Sequence, residues 1–323
     1  MSDKKNMVEA LNTAMDEEME RDEDVLVMGE DVGENGGVFR VTEGLHDTYG
    51  PERVIDTPLA ESGIVSTALG MAVYGMKPIA EIQFMGFTYP AFDQIISHVS
   101  RIRNRSRGDY NAQMVIRAPY GGGIHAPEHH SESTEALYAH TPGIKVVIPS
   151  TPTDAYGLLK AAIRDPDPVC FWEPKKIYRS SKEKLPDGDH TTPIGEAAVR
   201  EEGEDVTVIS WGAMMEPTLE AAEQTDIDVE VIDLRTISPM DFDTVQESVE
   251  KTGRAVIVHE APKTNGVGAE ISARITENDI LHLKAPVKRV TGFDTIFPQY
   301  QLEEKYLPDS FRVQRAIRTV YDF

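Results

Sequence analysis

The 323-residue sequence lacks features that several classes of protein depend on. Cys170 is the only cysteine, so neither a disulfide within the chain nor a cluster of thiolate ligands can form. No apolar run approaches the ~18–20 residues of a membrane-spanning helix, and the amino terminus has no apolar signal-peptide core. We therefore expect a cytoplasmic protein with no membrane partner.

Positive charge is also scarce. The chain has 55 acidic residues against 32 Lys and Arg, a formal net charge of −23. Nucleic acids bind to basic patches, so a nucleic-acid partner is not expected. The acids are spread along the chain, which is typical of a halophilic protein and also of an ordinary acidic one. Under the halophilic hypothesis, stability rises in molar KCl because salt screens the self-repulsion, and stability that did not rise would contradict it.

Apolar residues make up 40% of the chain, and their short runs alternate with helical patterns throughout its length. This alternation predicts the α/β class, with mostly parallel sheets. A Pro-, Gly- and charge-rich stretch interrupts the pattern, so we expect a domain at 1–184, a linker at 185–203 and a smaller α/β domain at 204–323. Within the first domain we expect helices over 39–49 and 90–107. The second half has few convergent polar residues, which favours a docking or assembly role.

The stretch Asp56-Thr57-Pro58-Leu59-Ala60-Glu61-Ser62-Gly63 joins a strand-like run to a helix-like run. Ligands of α/β proteins bind at such turns, at the carboxyl ends of strands. Glu61 is either a first-turn helix acid, whose pKa the helix dipole lowers, or a desolvated acid held for chemistry, whose pKa burial raises. The sequence leaves both readings open.

Two further candidates follow later strands. Gln83 and Phe87 come at the end of the next strand, so we expect them at the same sheet edge as Glu61, although an aromatic there can simply be core. His129 and His130 follow a glycine-rich loop. Adjacent histidines point in different directions and rarely share a metal, so one of them fits proton transfer, while the alternative is a surface or capping histidine.

Two charged segments also call for partners. Arginines alternate at the end of the predicted helix over 90–107, and they favour either carboxylates at a subunit interface or a helix carboxyl terminus. The turn Asp165-Pro166-Asp167 is either an Asx turn or part of an oxygen-ligand cation site. The alternating arginines are Arg101, Arg103, Arg105 and Arg107.

Several ungapped motifs, in order, make the whole chain resemble a known family. The sequence resembles the beta chain of the thiamine-diphosphate-dependent decarboxylase of 2-oxo acid dehydrogenase complexes, such as the pyruvate and branched-chain enzymes. The motifs are Gly29-Glu30-Asp31-Val32-Gly33, Asp56-Thr57-Pro58-Leu59-Ala60-Glu61, Glu81-Ile82-Gln83-Phe84, Pro142-Gly143-Ile144-Lys145-Val146-Val147 and Asp233-Leu234-Arg235-Thr236.

The resemblance implies a transketolase-like fold, with a pyrimidine-binding domain followed by a smaller carboxyl-terminal domain. It also implies roles for individual residues. Glu61 would hydrogen-bond the aminopyrimidine ring nitrogen and must be largely protonated to do so. Phe87 would stack on that ring, Leu59 and Gln83 would line the pocket, and His130 would serve acyl transfer to a lipoyl group.

A structural potassium site is a further implication of the resemblance. It would lie near the strand that contains Met114 and the turn that follows the helix after it. Most of its ligands would be backbone carbonyls, which any residue can supply. The residues matched to it are Met114, Ala162, Ile163, Asp165 and Asp167.

No Gly-Asp-Gly run occurs in the chain, although enzymes of this kind use one to hold the cofactor's diphosphate through Mg²⁺. The resemblance therefore implies an alpha chain that supplies Mg²⁺ and the diphosphate half, an α₂β₂ assembly, a lipoyl acyltransferase core as a partner and a 2-oxo acid substrate. Two alternatives remain: an acetoin dehydrogenase beta chain and a non-catalytic assembly subunit.

Overall fold

Two open β-sheets follow one another along the chain, and a computed structural model describes residues 4–323. On the interior strand β2 (Val25–Gly29), Val25 and Val27 join one buried apolar cluster, whereas Leu26 and Met28 join another. Since alternate residues of a strand point to opposite faces, both faces of this sheet are covered. Within residues 4–323, no helix is both long and apolar enough to cross a bilayer.

The larger sheet has seven strands in the order β12-β6-β7-β5-β4-β2-β3, and all its pairs are parallel except β12 with β6. Parallel neighbours require crossover connections, which helices supply here. The strands are β2 (Val25–Gly29), β3 (Val54–Asp56), β4 (Lys77–Glu81), β5 (Val115–Tyr120), β6 (Lys145–Val147), β7 (Val169–Pro174) and β12 (Thr236–Ser238). The helices of this half are α1 (Met7–Arg21), α2 (Leu45–Tyr49), α3 (Glu61–Val73), α4 (Phe92–Ser97), α5 (Ile102–Arg105), α6 (Glu135–Ala139) and α7 (Pro152–Arg164).

The smaller sheet has five strands in the order β14-β13-β10-β11-β9, with only β9 antiparallel to its neighbour. A two-stranded sheet pairs β1 (Lys4–Lys5) with β8 (Glu183–Lys184). The strands of the smaller sheet are β9 (Ala198–Glu201), β10 (Val206–Ser210), β11 (Val229–Asp233), β13 (Ala255–Pro262) and β14 (Lys288–Gly292). Its helices are α8 (Met215–Glu223), α9 (Phe242–Thr252), α10 (Val267–Asp279), α11 (Glu303–Tyr306) and α12 (Ser310–Tyr321).

Two predicted helices are shorter than expected. Only Leu45–Tyr49 of the stretch 39–49 is α-helical, because Gly44 adopts φ 81° and stops the helix from extending backwards. The stretch 90–107 breaks into short α and 3₁₀ pieces. Pro90 has no N–H to donate, and the Ser100 hydroxyl bonds the carbonyl of Ile96, a contact that bends helices.

Two strands depart from the predicted division of the chain at the linker. Ala198–Glu201 lies inside the segment 185–203 yet pairs with β11 in the second sheet, and its polar edge position hid it from the apolar pattern. Thr236–Ser238 returns from the second half to pair with β6 of the first sheet. Contacts therefore cross the expected linker, and the domain limits 1–184 and 204–323 stay a prediction.

A buried ion cluster ties three strands of the larger sheet together. Arg117 on β5 donates two hydrogen bonds to Glu173 on β7, at 2.7 and 2.8 Å, and a third to Glu81 on β4. All three side chains are almost fully buried. Burial raises the pKa of Glu81, and the nearby charge of Glu173 adds to the effect, although Arg117 opposes it. Glu173, through its bidentate pair with Arg117, is therefore the main group that neutralises the buried Arg117 charge.

Removing the Glu173 carboxylate is expected to destabilise the fold strongly. Glu173→Ala should lower the free energy of unfolding by ~3–5 kcal/mol, because it leaves the Arg117 guanidinium buried without its bidentate partner. Guanidinium denaturation measures the change. Glu81→Gln is the matched control and should cost clearly less, since it keeps the bidentate pair. Equal losses in the two variants would contradict this division of the cluster.

Candidate active site

The candidate site lies where the parallel strands β2, β3 and β4 of the larger sheet end. Gly29 on β2 is in register with Asp56 on β3 and with Glu81 on β4, so the residues that follow each strand share one edge. The amide of Thr57 donates to the carbonyl of Gly29 at 2.9 Å and holds the β3–α3 turn against β2. This edge is the one at which parallel α/β sheets bind ligands.

Glu61 is the first residue of helix α3, and its side chain is half-buried in the single chain. Ala60 before it provides no side-chain cap, so the first amides of the helix remain available. Leu59 projects an apolar side chain that is 71% exposed, although the neighbouring hydroxyl of Thr57 is buried without a hydrogen-bond partner among the described residues. The turn thus has an exposed apolar side chain and a buried hydroxyl without a partner, which a bound ligand or a partner chain could engage.

A second acid, Glu30, lies on the loop that follows β2. Burial raises the pKa of Glu30, and the charges of Asp31 and Glu61 raise it further. The amide of Gln83 lies 3.5 Å from Asp31, so the loop after β4 reaches the loop after β2. From the sequence, Glu61 is the only acid predicted for the catalytic site. The acidic pair Glu30 and Asp31, directly after the buried strand β2, is a further sequence signal for this edge.

Phe87 and His130 belong to one aromatic cluster. The His130 ring contacts Phe84 and Phe87 edge-on, with centroids 4.6 and 5.0 Å apart. Phe87 in turn stacks on His129 at 5.3 Å with an interplanar angle of 30°. The loop that carries the histidines therefore packs on the segment that follows β4, which brings two separately predicted residues together.

Gly86 allows that close approach. A Cβ atom built on Gly86 would lie 2.2 Å from the carbonyl oxygen of His129, a distance that real Cβ atoms do not reach. Only glycine fits this position without moving the histidine loop. The segment Met85–Ala91 and the histidine pair are thus held at a fixed separation.

His130 is held in its neutral form by its surroundings. Burial lowers its pKa below the ordinary 6.5, and the charges of His129 and Lys175 lower it further. Its Nδ1 atom is buried and has no hydrogen-bond partner among residues 4–323. A neutral imidazole with an unengaged nitrogen can accept or pass a proton once a reacting group is present.

The second half of the chain also holds the loop that leads to the histidines, and its expected docking or assembly role stays a prediction. The amide of Gly122 donates to Glu260 on β13 at 2.8 Å, and the amide of Gly123 donates to Glu303 on α11 at 2.7 Å. Both carboxylates are buried. No sequence pattern links residues this far apart, so these contacts could not be predicted.

A buried lysine lies among these carboxylates. Burial lowers the pKa of Lys175 to about 8, although the charges of Glu260 and Glu303 oppose the shift. Nearby, burial raises the pKa of Glu135 to about 7, and Glu260 adds to this effect. Ionisable groups perturbed in this way cluster at functional sites more often than elsewhere.

The residues matched to a potassium site meet around α7, away from Glu61. The carbonyls of Met114, Ala162 and Ile163 accept hydrogen bonds from Val169, Asp165 and Gln113 at 3.1, 3.3 and 3.0 Å. Each carbonyl keeps a second lone pair, which leaves cation binding open.

The two aspartates of that turn already have cationic partners within the chain. Asp165 pairs with Lys145 at 2.5 Å, and Asp167 pairs with Arg103 at 2.5 Å. The amide of Asp167 also donates to Asp165 at 2.9 Å, as in an Asx turn. One of the four alternating arginines thus finds its carboxylate inside this chain.

Comparisons with known proteins agree with this architecture. Residues 3–181 match the family model of the transketolase pyrimidine-binding domain, and residues 195–313 match that of the transketolase C-terminal domain. A solved split-gene transketolase, described as an inactive beta4 tetramer, superimposes with a TM-score of 0.81 at 23% identity, with 98% of each chain covered. The fold is therefore transketolase-like, an α/β architecture.

Curated relatives narrow the family. The chain is 51% identical to a pyruvate dehydrogenase E1 component subunit beta from Staphylococcus epidermidis and 49% identical to one from Staphylococcus aureus, with 98% of each chain covered. The chain belongs to the family of beta subunits of the decarboxylase, or E1, component of 2-oxo acid dehydrogenases. The acetoin and non-catalytic alternatives are not favoured.

Proposed function

We propose that this chain, together with an alpha chain, decarboxylates pyruvate and passes the acyl group to a lipoyl carrier. Two observations carry the proposal: Phe87 contacts His130, and Glu61 begins the helix that follows a strand ending at the same sheet edge. The turn before Glu61 exposes Leu59 to solvent. An acid, an aromatic platform and a neutral histidine are the groups that the chemistry needs from this half of the site.

The residues at the edge fit thiamine diphosphate. The buried, unpartnered Thr57 hydroxyl and His130 Nδ1 are polar atoms that a bound group can engage. Glu61 would hold the aminopyrimidine ring, Phe87 would stack on it, and Leu59 and Gln83 would line its pocket. When bound, the cofactor supplies the carbon nucleophile and takes up the electrons released by decarboxylation.

The role of Glu61 is to place a carboxyl proton at the aminopyrimidine ring. A partner chain that covered Leu59 would exclude water from this edge and strengthen the polar contacts that Glu61 makes with the cofactor. His130 would serve the later proton transfer to the lipoyl sulfur. Its neutral ring would first gain a proton and then donate that proton to the sulfur.

The exposed face of α3 supports an alpha-chain contact beside Glu61. Gly63, Ser66 and Gly70 lie on this face, and Tyr74 at its end is 92% exposed. Small residues allow a partner backbone to approach closely, and an exposed apolar patch is typical of an interface. We propose that the alpha chain docks here and supplies the diphosphate and Mg²⁺ site, in an α₂β₂ assembly that also binds a lipoyl acyltransferase core.

Pyruvate is proposed as the substrate because the curated relatives carry that name, while branched-chain 2-oxo acids remain the second candidate. The test is CO₂ release from a panel of 2-oxo acids by the chain co-expressed with its alpha partner. Pyruvate should give the highest kcat/KM. Faster turnover of branched-chain 2-oxo acids would overturn the substrate assignment, and release from none would overturn the function.

Glu303→Ala is expected to slow lipoyl acylation more than CO₂ release. The amides of Gly123 and His125 donate hydrogen bonds to Glu303 at 2.7 and 3.4 Å. Without this acceptor, the histidine loop would shift. A displacement of about 1 Å can cost about 100-fold in rate. Glu304→Ala removes the adjacent, exposed acid and should leave both steps unchanged. Equal losses in the two variants would contradict the role of the loop.

The potassium site, a cytoplasmic location and a halophilic origin stay predictions. For potassium, the measurable consequence is stabilisation by K⁺ that Na⁺ does not reproduce. Asp165→Ala should reduce that stabilisation, and its persistence would remove Asp165 from the ligand set.

A further inference from the structure

Asp279, the last residue of helix α10, is a buried acid that lacks full compensation in the chain. Its side chain is fully buried, and neither carboxylate oxygen has a hydrogen-bond partner among residues 4–323. A buried carboxylate without a partner costs several kcal/mol in general terms. Retaining such a group requires something that offsets the cost.

The surroundings of Asp279 make its negative charge still less favourable. It stands at the carboxyl end of α10, where the helix dipole repels anions. Glu250 on α9 brings a second carboxylate to the same place. Burial, the helix dipole and the charge of Glu250 disfavour the Asp279 carboxylate, and the nearby His282 and Gln246 offset this only in part. A bound cation would complete the compensation.

The third group nearby is an imidazole. Ligand atoms of Glu250, Asp279 and His282 all lie within 4.8 Å of one another. Two ligands bound to one ion at 2.0–2.2 Å lie roughly 3–3.5 Å apart, so a small closure would bring the three groups into coordination. The amide of Gln246 already donates to Glu250 at 3.0 Å and orients its carboxylate, as outer-shell partners of metal ligands do.

We propose that Glu250, Asp279 and His282 bind one divalent transition-metal ion of the zinc type, with water completing the coordination. An imidazole with two carboxylates is a ligand set that Zn²⁺ accepts. Ca²⁺ and Mg²⁺ prefer oxygen ligands alone, so the histidine disfavours them. Glu250 and His282 are exposed, which gives an ion direct access to the buried Asp279.

The ion would fasten the end of α10 to α9 and so stabilise the smaller sheet and its helices. Its ligands lie at or just beyond the ends of two helices that cover the smaller sheet, so we assign the ion a structural role. The existence of the site does not depend on the proposed catalytic function. Binding of a metal to the folded state alone adds directly to stability.

The experiment compares the full chain, stripped of metal, with three variants of it. Calorimetric titration with ZnCl₂ should show one saturable equivalent in the wild type. Asp279→Asn and His282→Ala should weaken it by more than the ~10–100-fold that follows loss of an outer-shell partner. Glu277→Gln, an exposed acid on the same turn as Asp279, should bind zinc as the wild type does. CaCl₂ and MgCl₂ should give no saturable binding at the same concentrations.

Thermal unfolding provides a second measurement with a crossover. Without metal, Asp279→Asn should unfold at a higher temperature than the wild type, because it removes the incompletely compensated charge. With zinc, the order should reverse, because only the wild type gains from binding. Weak, non-saturable binding shared by all variants, or an Asp279→Asn variant that stays more stable in zinc, would overturn the proposal.

Discussion

Replacing Glu61 with alanine is expected to abolish CO₂ release by the assembled enzyme. Glu61 is the only one of the proposed catalytic groups at the α3 amino terminus. Loss of a positioned proton-transfer group typically costs about 10²–10⁴-fold in rate. The measurement is CO₂ release from pyruvate by the chain co-expressed with its alpha partner and supplied with thiamine diphosphate.

The control for this variant is Glu52→Ala, which removes an exposed acid before β3 and should leave turnover unchanged. Size-exclusion chromatography must show that both variants still assemble with the alpha chain, because Glu61 is only half-buried in the free chain and its loss should not unfold α3. Near-normal turnover of Glu61→Ala in a sound assembly would refute the assigned role.

His130→Ala is expected to separate two steps of the reaction. CO₂ release measured with an artificial electron acceptor should persist. Acylation of a lipoyl carrier should fall by about 10²–10⁴-fold, because the general acid that protonates the lipoyl sulfur is gone. The adjacent His129 is the matched control, since it stacks on Phe87 but is exposed. His129→Ala should affect acylation far less, and equal loss of both steps in His130→Ala would contradict the division of labour.

The acylation step should also carry the pH signature of His130. Burial and the neighbouring charges lower its pKa below the ordinary 6.5, so the protonated form is lost as the pH rises through that lowered value. A step that uses the protonated ring as donor should therefore slow above a pKa lower than 6.5. A midpoint above 6.5 would place the proton on another group.

Local sequence patterns were sufficient for much of the fold. Met7, Leu11, Met15 and Met19 recur every four residues, and all four are buried on α1, whose start Asn6 and Glu9 cap as sequence rules predict. The continuous apolar run at 25–28 forms the buried strand β2, because an apolar run is likewise a local property of the chain.

Patterns that depend on distant partners could not be read in this way. Thr236–Ser238 is too short to stand out, and its pairing with β6 arises from the packing of the two halves. A different cause explains the break in the helix predicted over 90–107. Pro90 and the hydrogen bond from the Ser100 hydroxyl to the Ile96 carbonyl are local features, and they interrupt a helix that the residue pattern favoured.

The candidate site shows the same limit. Glu61, Phe87 and His130 could be placed by motif and by their position after strands. Glu260 and Glu303 reach the glycine loop from 138 and 180 residues away, and no spacing rule covers such contacts. Their acidic side chains also looked like ordinary surface charge in a chain of net charge −23.

We propose that this chain contributes one half of a cofactor site that an alpha chain completes. Calorimetric titration of thiamine diphosphate with Mg²⁺ tests it most directly, on the beta chain alone, the alpha chain alone, their mixture, and a mixture with Glu61→Ala. Tight binding should appear only in the wild-type mixture and weaken in the variant mixture. Equally tight binding to the isolated beta chain, or equally tight binding to the wild-type and Glu61→Ala mixtures, would contradict a shared cofactor site that includes Glu61.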